Sequence, residues 1–110
     1  MANGGRPIRA AKRYKKETLF IRTLTAEAEG LVQRAKTDEV KEECRKVYEA
    51  LRYSDPMDSK ELADVNNKLS EKIFELSKAV DGKPLDEVRK LTEEVVLLVG
   101  ERERKCKLLK

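Results

Sequence analysis

Histidine and tryptophan are absent from this chain of 110 residues, and only 5% of its residues are aromatic. The lack of histidine excludes a Ser-His-Asp triad, a histidine general base and zinc sites of the usual kind. Charged residues instead make up 42% of the chain, and Leu, Val and Ala dominate its 39% apolar share. This composition is typical of long helices rather than of a sandwich or a barrel.

Long apolar runs are also missing. The longest is Val95–Val99, whereas a membrane-spanning helix needs about 20 apolar residues. The basic N-terminus is followed by neither the apolar stretch nor the cleavage site of a secretory signal, so we expect a cytoplasmic protein. Cys44 and Cys106 lack CxxC spacing, and we expect both to pack as small apolar side chains, without a metal or cofactor.

Apolar residues at helical spacing predict two helices in the second half of the chain. The first carries a stripe from Leu62 to Val80 that advances by three or four residues at each step. Asp58 and Glu61 match a capping box at its start, in which side chains accept hydrogen bonds from the free backbone amides. Gly82 is expected to end it by adopting a left-handed conformation.

The last predicted helix, about 85–108, has one charged residue on its apolar stripe. Arg102 lies between Leu98 and Cys106 along that stripe. A guanidinium at such a position needs either a carboxylate partner or a place at the end of the bundle, where it can reach water.

The first half of the chain allows two interpretations. Apolar stripes over 21–35 and 40–51 would point in nearly opposite directions on a continuous helix, because each residue turns the helix by 100°. Either the chain turns near residue 37, with Thr37 as an N-cap, or one helix spans 15–53. No Gly or Pro supports a tight reversal there, so we favour the single long helix, kinked or broken near residue 37.

We therefore expect an all-α fold, an antiparallel long-helix bundle of three helices with coiled-coil-like packing. Residues 15–110 form this helical bundle domain, and 1–14 form a flexible basic N-terminal arm. The long first helix would extend beyond the other two and expose apolar residues on its overhang, namely Ile21, Leu24 and Leu31. A second copy of the chain is the simplest cover for them, so we expect a homodimer. The four-helix alternative predicts a compact monomer with both basic ends at one pole.

The arm carries the clearest indication of a function. Its segment "GRP" resembles the Gly-Arg-Pro core of the AT-hook, although Gly4 stands where the hook carries a basic residue. The resemblance implies an extended segment in the minor groove of A·T-rich DNA, with lysines on the phosphates. An anionic membrane surface and a solubilising tail without a ligand are the alternatives. The predicted nucleic-acid-binding residues are Arg6, Arg9, Lys12, Arg13, Lys15 and Lys16.

A second pattern consists of two carboxylate pairs. Glu39-x-x-Glu42 is followed, after eighteen residues, by Glu61-x-x-Asp64. This spacing is similar to the ExxE…ExxD magnesium motif of MazG-type nucleotide pyrophosphohydrolases. The resemblance implies an all-helical, magnesium-dependent enzyme, which we keep as an alternative.

The sequence thus favours a small helical interaction or scaffold protein that self-associates and contacts nucleic acid through its basic arm. We predict no enzymatic activity and no catalytic, metal or small-molecule site. The MazG-like enzyme and peripheral binding to an anionic membrane surface remain the alternative functions.

Overall fold

Residues 2–110 form four α-helices. The computed structural model describes the backbone of these residues and the side chains of residues 18–110. The chain runs through one 3-10 turn, Lys60–Leu62, and four helices, which are α1 (Ala2–Arg34), α2 (Asp38–Arg52), α3 (Ala63–Val80) and α4 (Leu85–Leu109). The predicted all-α class is confirmed, whereas the three-helix arrangement is not.

The favoured single helix over 15–53 is not formed, and the alternative of a turn near residue 37 capped by Thr37 is confirmed. Three residues, Ala35 to Thr37, separate α1 from α2, and Thr37 has an extended backbone with φ −123° and ψ 159°. Its hydroxyl oxygen accepts a hydrogen bond from the Val40 amide at 3.2 Å, which satisfies one of the free donors at the start of α2. This cap allows the chain to reverse without Gly or Pro.

The reversal turns both apolar stripes of the first half toward one core. Burying a large apolar side chain contributes about 1.5–3 kcal/mol, and a continuous helix would have left one stripe outside. The residues expected on an overhang are therefore covered within the chain, and a homodimer no longer follows from them. The buried residues of these stripes, each at most 4% exposed, are Ile21, Leu24, Ala28, Leu31, Cys44, Val47 and Leu51.

The four helices include two parallel pairs. Arg34 at the end of α1 contacts Asp81, which directly follows α3, so α1 and α3 run in the same direction. Glu43 near the start of α2 contacts Thr92 near the start of α4, so these two helices are also parallel. α2 packs closely against α1 and α4, and α4 against α3, whereas α1 and α3 make a smaller contact.

The predicted α3 stripe is confirmed as core, whereas the α4 stripe is buried only in part, since Leu91 and Leu98 are half-buried and Leu109 is 40% exposed. Both cysteines are free and buried, as expected. Burial raises the pKa of the Cys44 thiol to about 11 and also raises that of Cys106, so both stay protonated at neutral pH. The α3 stripe, at most 7% exposed, consists of Leu62, Val65, Leu69, Ile73, Leu76 and Val80.

Two predicted helix-end signals are wrong. Asp58 is not a cap, because its carboxylate accepts a hydrogen bond from the Asn66 amide group at 3.0 Å, and α3 begins only after the 3-10 turn. Gly82 has no positive φ. The chain leaves α3 through a turn in which the Lys83 amide donates to the Ala79 carbonyl at 2.8 Å.

The connection from α2 to α3 crosses one end of the bundle and is held by Arg102. This side chain is fully buried. Its guanidinium donates to the Asp55 carbonyl at 2.6 Å, to the Met57 carbonyl, and through Nε to Asn66 Oδ1 at 2.8 Å. Three neutral oxygens thus accept hydrogen bonds from the buried guanidinium, whereas the sequence predicted a carboxylate partner or exposure to water.

At this end of the bundle, the first residues of α1 with described side chains lie near the end of α4. Arg22 lies beside Pro56 of the crossing connection, and Lys110 pairs with Asp55. Residues 2–14 of the predicted arm belong to the backbone of α1, but their side chains lie outside those that are described, so the division into arm and bundle stays a prediction. Among the described residues, no helix combines the length and apolar character needed to cross a membrane.

Candidate functional site: a groove between α1 and α3

An open groove of about 820 Å³ separates α1 from α3. Its floor consists of buried apolar side chains from both helices, including Leu24, Leu31 and Ile73. The groove exists because the contact between these two parallel helices is smaller than their contacts with the other two. An amphipathic helix can bind with its apolar face in a groove of this kind.

Large apolar side chains stand exposed on both walls of the groove. Leu19 of α1 is 55% exposed and Phe74 of α3 is 62% exposed, and both line the groove. Full burial of such a side chain contributes about 1.5–3 kcal/mol. One helix lying between the walls could contact both residues, so the groove has the features of a docking surface.

One end of the groove is closed by an interaction within the chain. Arg34 donates through Nε to Asp81 Oδ1 at 3.1 Å and through Nη2 to the Ser77 carbonyl at 2.6 Å. These contacts occupy the guanidinium and join the ends of α1 and α3. The charge of Arg34 is therefore already balanced before any partner binds.

Charges of both signs flank Phe74 on the exposed face of α3. Glu71 and Lys78 are exposed, and neither takes part in an ion pair among the residues whose side chains are described. The Lys78 ammonium instead lies 4.4 Å from the centroid of the Phe74 ring. The Phe74 ring lines the groove, and the acid and the base lie beside it on the exposed face of α3.

A buried carboxylate, Glu43, lies on the other side of the bundle between α2 and α4. Its Oε1 is 2.7 Å from the Thr92 hydroxyl, and its Oε2 is 2.9 Å from Lys46 Nζ and 3.5 Å from Arg89 Nε. Burial raises its pKa, but the Thr92 and Lys46 hydrogen bonds and the charges of Lys46 and Arg89 outweigh burial, so the pKa lies below its ordinary value. A general acid at neutral pH needs a raised pKa, so this arrangement favours helix packing over catalysis.

A second apolar surface adjoins Glu43. Leu97 is 72% exposed and Val96 39% exposed, and together with Lys46 they line a depression of about 370 Å³. This surface is smaller than the groove between α1 and α3, and it provides a natural comparison for experiments on that groove.

The four carboxylates of the predicted magnesium motif do not converge. Glu39 and Glu42 lie near the start of α2, whereas Glu61 and Asp64 lie near the start of α3, at the opposite end of the bundle. Glu42 is engaged by Arg45 at 2.8 Å. Within the described part of the chain, no group of three or more acidic or cysteine side chains could hold a metal ion. The arrangement implied by the MazG resemblance is therefore not formed by these residues.

The predicted nucleic-acid-binding residues, Arg6 to Lys16, lie outside the residues whose side chains are described. The adjoining end of the bundle, which is crossed by the connection from α2 to α3 and is called the pole below, presents further basic and aromatic groups. Arg22 and Arg52 are exposed there, and the Arg52 guanidinium lies 5.5 Å from the centroid of the Tyr53 ring, which is 76% exposed. An exposed ring beside arginine charges can stack on a base and contact phosphate.

Basic residues near the C-terminal end are used within the chain. Lys110 pairs with Asp55, and Lys105 approaches Glu101 at 3.9 Å. Since Arg102 is also buried, this end carries less available positive charge than its composition suggests.

Sequence periodicity did not identify Leu19 or Phe74 as site residues. Phe74 directly follows the buried Ile73, so it lies off the apolar stripe of α3 by one position. A large aromatic residue outside the periodic set, with Glu71 and Lys78 near it on the helix surface, was the signal available in the sequence.

Comparisons with known proteins give no assignment, since the chain matches no protein-family model, no curated protein and no solved structure. Its function is therefore argued from its own residues.

Proposed function

We propose that this chain is a non-enzymatic helical interaction protein that docks a partner helix in the groove between α1 and α3. The observation that carries this proposal is the exposure of Leu19 and Phe74 on facing walls, above an apolar floor. An apolar surface of this kind is stabilised when another surface covers it.

The chemistry of the groove favours a protein helix as its occupant. A helix presents apolar side chains in a line at i, i+3 or i+4, and i+7, which suits an open channel between two helices. The charges beside Phe74 are one acid, Glu71, and one base, Lys78. A matching helix therefore carries an apolar stripe with charges of both signs along its edge.

A synthetic amphipathic peptide with a leucine stripe, edged by glutamate and lysine, tests this proposal. We expect it to shift the amide NMR signals of α1 and α3 rather than those of α2 and α4. The variant Leu19→Ser/Phe74→Ser should bind it about tenfold or more weakly, because both apolar contacts are lost.

Two controls belong to this experiment. The same peptide with its leucines replaced by serine should not bind, and the chain variant Leu97→Ser should bind like the native chain, because Leu97 lies outside the groove. Absence of peptide binding, or equal binding by Leu19→Ser/Phe74→Ser, would overturn the docking function.

We further propose that the basic arm and the adjoining pole contact nucleic acid. Residues 1–16 contain six Lys or Arg and no acid, and the exposed Arg22, Arg52 and Tyr53 support the same proposal. In this arrangement the arm neutralises phosphates, while the Tyr53 ring stacks on an unpaired base.

A salt series with the full chain tests this second proposal. The logarithm of the binding constant for duplex DNA should fall linearly with the logarithm of salt concentration, by about 0.9 for each phosphate neutralised. Arg6→Ala/Arg9→Ala should reduce this slope by up to about 2, and Tyr53→Ala should weaken single-strand binding with little change of slope.

Phosphatidylserine vesicles distinguish the membrane alternative. Binding to these vesicles but not to DNA would overturn the nucleic-acid proposal, and so would a failure to bind DNA at physiological salt. An unchanged salt slope in Arg6→Ala/Arg9→Ala would show that the arm is not the contact.

A further inference from the structure

We propose that a second copy of the chain packs on the exposed face of α3 beside this groove, with the two α3 helices antiparallel about a two-fold axis beside Phe74. This inference goes beyond the proposed docking function, because the face shares Phe74 with the groove, whereas its charged residues Glu71 and Lys78 do not line the groove. The reason to expect a homodimer is now the exposed face of α3 and no longer an overhanging first helix.

The exposed face of α3 beside the groove begins at Phe74. Counting 100° per residue, Asn67, Glu71 and Lys78 project within about 60° of Phe74, all on the side away from the groove. All four side chains are exposed. A second helix laid along this face would therefore contact the Phe74 ring, with an acid about one turn before it along α3 and a base about one turn after it.

The order of these charges makes the face complementary to itself. Glu71 lies three residues before Phe74, and Lys78 lies four residues after it. An antiparallel pair with its axis between Phe74 and Glu75 brings Glu71 of each copy opposite Lys78 of the other. Flanking ion pairs of this kind set the orientation and register of paired helices.

The aromatic ring supplies the apolar contact of the same pairing. Because Phe74 lies beside the axis, the rings of both copies meet there, and aromatic pairs prefer offset or edge-to-face packing. The Lys78 ammonium now against the ring would then reach the partner's Glu71 across the contact.

Lys72 and Glu75 of α3, and Asp81 directly after it, are already engaged within the chain. Lys72 approaches Glu75 at 3.7 Å and Glu94 of α4 at 3.3 Å, and Asp81 is bound by Arg34. Glu71 and Lys78 are thus left available next to the exposed ring, where a partner can use them.

The other exposed apolar surface lacks this self-complementarity. Leu97 is more exposed than Phe74, but Glu93 lies four residues before it and Glu101 four residues after it. A two-fold axis at Leu97 would bring these acids together, and it would also bring Lys90 opposite Arg104. Like charges placed opposite each other oppose association, so self-pairing is favoured at Phe74 and disfavoured at Leu97.

Sedimentation equilibrium of the full chain tests the inference. We expect a reversible dimer, and Phe74→Ser should raise its dissociation constant about tenfold or more, whereas Leu97→Ser should leave it unchanged. Because both side chains are exposed, neither change is expected to unfold the chain.

Charge exchange provides a sharper test. Glu71→Lys and Lys78→Glu should each weaken the dimer, because each places like charges opposite one another in both halves of the contact. The double variant Glu71→Lys/Lys78→Glu restores both opposite-charge pairs and should return the dissociation constant to near the native value. Failure of the double variant to recover would contradict the proposed register.

Cross-linking locates the axis. Phe74→Cys should form a disulfide-linked dimer on mild oxidation, whereas Leu97→Cys should not, because the partner's residue 97 lies far from it in this pairing. The native Cys44 and Cys106 are buried, so the native chain should form little disulfide-linked dimer under the same oxidation.

The outcomes of these experiments distinguish the self-pairing from the docking function of the groove. A native chain that stays monomeric up to high concentration overturns the self-pairing, while the synthetic peptide still reports on the groove. A dimer that is unaffected by Phe74→Ser also overturns it, because the contact then lies on another surface.

Discussion

Arg102 Nη1 lies 2.6 Å from the carbonyl oxygen of Asp55, 47 positions earlier in the chain. This contact joins α4 to the connection that crosses the end of the bundle between α2 and α3. Leaving the buried guanidinium without acceptors, or the carbonyl groups without donors, would lower the free energy of unfolding. The interaction therefore positions the start of α3, the helix that carries Phe74.

Arg102→Lys should destabilise the chain by about 2–4 kcal/mol, since an ammonium cannot reproduce the planar set of donors that reaches three oxygens. Urea unfolding followed by circular dichroism measures this loss. The exposed Arg104→Lys is the matched control and should change the free energy of unfolding by less than about 0.5 kcal/mol. Equal effects of the two changes would contradict the role assigned to Arg102.

Glu43 should make the stability depend on pH in the acid range. Its pKa in the folded chain lies below the ordinary value of 4.5, so its contribution is complete above that pH and is lost as pH falls through the folded pKa. Glu43→Gln should therefore be less stable than the native chain at neutral pH, with the difference shrinking below about pH 4.5. Unfolding curves at several pH values measure this difference, with the exposed Glu49→Gln as the matched variant on the same helix. A difference that grows toward acid pH would be inconsistent with a lowered pKa.

Thr37→Ala should cost about 1 kcal/mol of stability, because the amide donor of Val40 loses its side-chain acceptor at the start of α2. Thr37→Ser keeps an acceptor oxygen in the same position and should retain most of the stability. Thermal unfolding compares the three chains. Equal stability of the alanine and serine variants would show that the cap contributes nothing.

Gly30→Ala should stabilise the chain by about 0.5–1 kcal/mol, because glycine is unfavourable within a helix. A Cβ at this position of α1 would meet no other atom within 4 Å. Chemical unfolding at low protein concentration measures the gain. Gly100→Ala is a useful companion, since its Cβ would make an ordinary contact with Arg104 at 3.7 Å. A net loss in Gly30→Ala would mean that the space beside Gly30 is needed by a neighbouring group.

Local pattern was sufficient for the helical class and for much of the core. The stripe from Leu62 to Val80 could be predicted because helical periodicity depends on near neighbours in the chain, and all its members are buried. The same pattern predicted burial of both cysteines. The sequence also allowed a turn capped by Thr37, but the absence of Gly and Pro near residue 37 favoured the single long helix.

Tertiary structure decided what depends on residues far apart in the chain. The break after Arg34 was settled by burial of two stripes in one core, and the buried charge of Arg102 was satisfied by carbonyls some 45 positions away. Exposure of Phe74 also followed from the spacing between α1 and α3. Near-neighbour spacing carries no information on such distances, because side-chain burial and hydrogen-bond partners are determined by how whole helices pack.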